Sequence, residues 1–93
     1  MTETFESVWD GLEDSAAQAA NLKARAALMR EIARWVRDSG LTQTEAATQL
    51  GISQPRLSDL MRGRIEKFSL DALVNMTGAA GLEVTVTVRR HAA

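Results

Sequence analysis

Hydrophobic residues recur between positions 22 and 36 at three- and four-residue spacing: Leu22, Ala26, Met29, Ala33 and Val36, with Leu28, Ile32 and Trp35 widening the stripe. That period predicts a long helix with one core face. Ser15-Ala16-Ala17-Gln18 has the form of a capping box, in which the serine and glutamine side chains satisfy free backbone N–H groups, so the helix is predicted to start there. Ser39-Gly40 supplies its stop. Thr42-Gln43-Thr44-Glu45 is a second box, flanked by Leu41 and Ala46 in the places of a hydrophobic staple, and it opens a short helix that ends at Leu50 before Gly51. A third helix enters through Gln54 and Pro55, proline being tolerated in a first turn where its missing N–H has no helical partner, and Gly63 closes it. Ser69 caps a fourth, with Phe68 placed to meet Leu73 and with Leu70, Leu73, Val74 and Thr77 in helical spacing up to Gly81. Then the period changes. Val84, Val86 and Val88 alternate with Glu83, Thr85, Thr87 and Arg89, which predicts one strand over residues 82–89.

With 93 residues, 45% of them hydrophobic, the chain has room for one small core and gains from a partner subunit. The pattern divides it into an acidic segment at 1–14, a helical domain at 15–81 and a terminal strand at 82–89. No cysteine is present, so a disulfide frame, a thiolate nucleophile and a sulfur metal site are excluded. Met1-Thr2-Glu3-Thr4 lacks the basic start and apolar run of a secretory leader, and no segment approaches the roughly 20 apolar residues of a membrane span, so a cytoplasmic protein that does not engage a membrane is expected.

Net charge is −1, which argues against indiscriminate binding to polyanions, but its distribution is uneven. Residues 1–14 hold five acids and no base, for −5; residues 23–37 hold five bases against Glu31, for +4; residues 54–67 hold four against Asp59 and Glu66, for +2. Lys23, Arg30, Arg34 and Arg37 share one face of the long helix, the ordinary pattern of a solvated surface. Trp35 belongs to the apolar stripe, whereas Phe5, Val8 and Trp9 sit in the acidic segment as either a loose core cover or an anchor for a partner.

The most informative stretch is LTQTEAATQLGISQPRLSDLMRG, residues 41–63, two short helices joined by a three-residue turn that starts at glycine. Counting from Gln43, the fifth place is Ala47, small enough for a close helix crossing, and the ninth is Gly51, where a left-handed backbone is needed. Ile52, Leu57 and Leu60 then fall inward. Gln54, Arg56, Ser58 and Asp59 fall outward, followed by Arg62, Arg64 and Lys67, a polar and basic surface suited to a DNA major groove. Thr42 and Gln43 stand at the start of the supporting helix, where backbone N–H groups can hold a phosphate, plain capping being the other use of such residues, and Ser53 is counted with the DNA-contacting residues. Asp59 either accepts from a cytosine amino group or orients Arg56 or Arg62.

These residues resemble the Cro/cI-repressor (Xre) class of helix-turn-helix proteins. More closely, NLKARAALM, residues 41–63 and FSLDALVNMTGAAGLEVTV resemble the HigA-type antitoxins of type II toxin–antitoxin modules. The resemblance implies a lambda-repressor-like bundle of four to five helices, a homodimer on double-stranded operator DNA that represses its own operon, and neutralisation of a RelE/HigB-like toxin. It also places Gln43 among residues that touch the DNA backbone and Gln54 as the first base reader, while Pro55 removes a contact that some relatives make. A stand-alone or prophage regulator with no toxin is the alternative.

The predicted strand has no mate in its own chain except the Phe5 to Trp9 segment, so pairing with a second copy is expected, antiparallel about Val86, with Glu83 opposite Arg89. Leu82, Val84, Val86 and Val88 would line that dimer contact. The acidic segment, through Phe5, Val8 and Trp9, is the expected toxin contact. Catalysis has no support: His91 is a lone histidine, no carboxylate group has acid–base or metal-ligand spacing, and no cofactor or metal is expected.

Overall fold

A computed structural model of the chain describes residues 2–90, with side chains from residue 15 onward. Four α-helices follow one another: α1, Thr2–Ser39; α2, Gln43–Leu50; α3, Gln54–Met61; and α4, Leu70–Ala79, with a single 3₁₀ turn at Ile65–Lys67 between the last two. At about 1.5 Å per residue the 38 residues of α1 span about 57 Å. That length sets the 55 Å long axis of the molecule.

The core is built on the second half of α1. Met29, Ile32 and Val36, one face of the helix, pack with Ala46, Ala47 and Leu50 of α2, Leu57 and Leu60 of α3, Phe68, and Leu73 and Met76 of α4. Ile32, Leu57 and Leu73 are fully buried, each contributing about 1.5–3 kcal/mol by removal from water. Ala47 lets α2 and α3 approach, and Phe68, just before the Ser69 cap, fills the space between α3 and α4 in the same cluster as Leu73.

Three expectations require correction. First, α1 does not begin at Ser15 but at Thr2. A capping box works only where N–H groups are free, and residues 15–18 follow thirteen helical residues whose carbonyls already accept those N–H groups. Second, Leu22 is 40% exposed and outside the core, which starts about two turns later, at Leu28 and Met29.

Third, no strand forms among the described residues: 82–90 carry no ladder, and Val86 and Val88 are 78% and 88% exposed. Extended backbone needs a partner for its N–H and C=O groups, and the one intrachain candidate, 5–9, lies within helix α1. The segment instead lies along α1 and α4, where Val84 and Val86 border an open groove of about 370 Å³ with Ala24, Ala27, Leu28, Leu70 and Val74.

Candidate nucleic-acid interface

Local signals fix the α2–turn–α3 unit. At its start the Thr42 hydroxyl accepts from the Glu45 N–H (3.1 Å) and the Glu45 carboxylate accepts from the Thr42 N–H (2.9 Å), the reciprocal box expected from the sequence. The hydrogen bond from the Thr42 backbone, with a smaller contribution from its side chain, holds the Glu45 carboxyl below the usual carboxylate range. Gly51 ends α2 in the left-handed region, φ +73° and ψ 29°. The N–H groups of Gly51 and Ile52 donate to the carbonyls of Thr48 (3.1 Å) and Ala47 (3.0 Å). Ser53 then caps α3, its hydroxyl accepting from the Arg56 N–H (3.3 Å), with Pro55 in the first turn.

This turn brings Gln54, at the first position of α3, and Gln43, at the first of α2, to the surface, both exposed. Arg62 and Lys67 are exposed after the third helix, while Ser58 is half-buried. Among the described residues, the side chains of Gln43, Gln54, Arg62 and Lys67 make no hydrogen bond within the chain and are free to meet a ligand. The hydroxyls of Thr42 and Ser53 are occupied by capping, so a ligand at those helix starts would meet backbone N–H groups instead.

Two outward residues are differently engaged from the sequence expectation. Arg56 is half-buried: its guanidinium lies 4.5 Å above the centre of the Phe68 ring and donates to the Lys67 carbonyl (3.2 Å). Asp59 orients neither Arg56 nor Arg62; it pairs with Arg64 at 3.2 Å, and the Arg64 N–H donates to the Asp59 carbonyl (3.0 Å). Both contacts tie α3 to the 3₁₀ turn that carries Lys67.

Arg25 is a residue that the sequence reading passed over. From α1 its guanidinium donates to the carbonyls of Ile65 and Phe68, each at 3.1 Å, and to the Asn21 side chain (2.6 Å). It clamps the same turn from α1. A charged residue at position 25, in step with Met29, Ile32 and Val36 on the core face, was the available signal.

The side chains of Phe5, Val8 and Trp9, and His91, lie outside the described residues. Among the described residues no group of three or more His, Cys, Asp or Glu is placed to hold a metal ion, and no helix is long and apolar enough to cross a membrane.

Comparison with known proteins agrees with this geometry. A family described as "Helix-turn-helix domain" matches residues 12–89. A solved structure named "Putative XRE Family Transcriptional Regulator" is similar to the chain at a TM-score of 0.72 and 27% identity, over 80% of this chain and 83% of that one. No curated protein matches the chain.

Proposed function

The chain belongs to this family of helix-turn-helix domains, and from that premise we propose that it is a sequence-specific, DNA-binding transcriptional regulator of the XRE type that acts as a homodimer on operator DNA. The observation that carries the reading is the exposed Gln54 at the head of α3, immediately after a turn fixed by Gly51 and the Ser53 cap. A glutamine there has the paired donor and acceptor that match an adenine edge in the major groove. Gln43 touches the backbone beside it, together with free backbone N–H groups in the first turns that follow Thr42 and Ser53, while Arg62 and Lys67 supply the phosphate contacts and Arg64, paired with Asp59, borders them. Arg56, Ser58 and Asp59 border the same surface, Arg56 and Asp59 by holding it in shape.

Dimerisation through 82–89 supports two half-sites about 34 Å apart. The exposed Val84, Val86 and Val88, with Leu82, offer the edge that a second copy would pair antiparallel. Selection from a random duplex library tests the reading: the protein should enrich an inverted repeat, and Gln54→Ala should abolish discrimination between that repeat and a scrambled duplex. No enrichment, or equal affinity of the native chain for both duplexes, would refute it.

A second reading, neutralisation of a basic RelE/HigB-like toxin, is favoured by the −5 charge of residues 1–14 and by Phe5, Val8 and Trp9 within it. Removing residues 1–13 should abolish binding to a ribonuclease encoded beside this chain. A regulator without such a neighbour needs none of those residues.

A further inference from the structure

Residues 15–23 of α1 are exposed throughout, so this stretch of a 38-residue helix leans on nothing described in its own chain. Uncovered helix is held by propensity alone, which is marginal in water. The sequence of α1 shows what would cover it. Counted in heptads from Phe5, the two seam places hold Phe5, Trp9 and Leu12 in the acidic first third and Ala16, Ala19 and Lys23 in the middle. In the last third they hold Ala26, Arg30, Ala33 and Arg37. One of the two places, Phe5, Leu12, Ala19, Ala26 and Ala33, is apolar throughout, as the seam of a supercoiled helix pair is, while the other turns basic at Lys23, Arg30 and Arg37.

Those last four residues, with Met29, are also the α1 wall of an open groove of about 340 Å³, completed by Leu60, Met61 and Ile65. The groove is lined mainly by apolar side chains, with Arg30 and Arg37 the charged residues on it. Two copies of α1 placed antiparallel about residue 21 bring large residues level with this groove: Trp9 meets Ala33, Leu12 meets Arg30 and Phe5 meets Arg37, while Ala16 faces Ala26. Charge selects the same orientation, since residues 1–14 carry −5 and residues 23–37 carry +4, so an antiparallel pair sets unlike charges together and a parallel pair sets like charges together. Arg25 is already held by the Ile65 and Phe68 carbonyls, and Arg34 pairs with Glu31 at 3.4 Å. Arg30 and Arg37 remain for the acidic side chains, with Glu13 and Glu6 one residue from their respective levels.

We propose that the acidic first third of α1 from one copy lies in the groove of a second copy, and reciprocally, forming an antiparallel helix pair. The contact is independent of pairing through 82–89, and a chain that uses both would assemble beyond the dimer. Its test uses the full chain without DNA, by sedimentation velocity at low and high salt, with circular dichroism as the check on folding. Arg30→Glu/Arg37→Glu and Glu6→Lys/Glu13→Lys should each self-associate at least about tenfold more weakly than the native chain. An equimolar mixture of the two should restore association, since each then supplies what the other lacks. Val86→Asp/Val88→Asp, at two exposed positions, should leave this contact in place.

The proposal is overturned if Arg30→Glu/Arg37→Glu associates like the native chain, if the mixture behaves as its separate components, or if Val86→Asp/Val88→Asp alone yields monomers. Loss of duplex binding by Arg30→Glu/Arg37→Glu with unchanged mass would assign the arginines to phosphate and overturn it too. Because no DNA enters the mass measurement, failure of the operator reading leaves its result unaffected.

Discussion

Arg56→Ala separates two roles for a residue on the outward side of α3. In the free protein its guanidinium lies over Phe68 at 4.5 Å and donates to the Lys67 carbonyl at 3.2 Å. A cation–π contact at a partly exposed site contributes about 0.5–1 kcal/mol. A hydrogen bond from a charged donor contributes about 1.5–3 kcal/mol when buried, and the half-exposure of Arg56 reduces that to the lower end or below. Together they predict a loss of about 1–2 kcal/mol in urea unfolding at neutral pH. Arg56→Lys should recover only part, since an ammonium lacks the planar stack. DNA binding by the remaining folded protein should weaken similarly on the selected repeat and on a scrambled duplex, because the loss acts through the shape of the surface. The refuting result is a variant as stable as the native chain that loses affinity for the selected repeat alone. That outcome would mean that Arg56 leaves Phe68 to read a base, at a discrimination of about 1–3 kcal/mol.

Gly51→Ala should destabilise the chain by about 1–2 kcal/mol, measured by urea unfolding, because an L-residue is forced to φ +73° while nothing lies within 4 Å of the added Cβ. Gly51→Asn should cost less, and an unchanged midpoint for Gly51→Ala would contradict the backbone argument. Glu45 titrates below its ordinary value in the folded state, so its capping contribution is fully present above the unfolded carboxylate pKa and is lost as pH falls through the lower folded one. Glu45→Ala should therefore flatten the acid limb of stability against pH below about pH 4, with identical acid limbs as the contrary result.

The parts of the fold legible in the sequence are those whose causes are local. The Thr42–Glu45 box, the proline in the first turn of α3, the left-handed Gly51 and the Ser69 cap each depend on residues within four positions, and each forms as read. The misreadings share the opposite property. Ser15 carries a cap signature, but whether it caps depends on what precedes it, and thirteen helical residues do. The valines of 82–89 carry a strand signature, but a strand is a relation between two segments and one chain supplies only one. Asp59 chose Arg64 over nearer candidates because the turn after α3 brings position 64 back to it.

The same nonlocality alters the reading of charge at the site. Counted along the sequence, Arg56, Arg62, Arg64 and Lys67 are four cations beside the groove-facing helix. In the folded chain Arg56 is spent on Phe68 and the Lys67 carbonyl, and Arg64 on Asp59, which leaves Arg62 and Lys67 unpaired among the described residues of that stretch. Two free cations on a chain of net charge −1 release few counterions from a duplex, so sequence-independent attraction is weak. On the function proposed above, affinity then comes from base contacts by Gln54 and from joining two copies on one duplex. The arginines turned inward serve that end differently: Arg25 from α1 and Arg56 from α3 both hold carbonyls of the Ile65–Phe68 stretch and fix where Lys67 stands relative to α3. A weakly charged, rigid surface discriminates between sequences better than a strongly charged, mobile one, because less of its binding energy is shared with every duplex it meets.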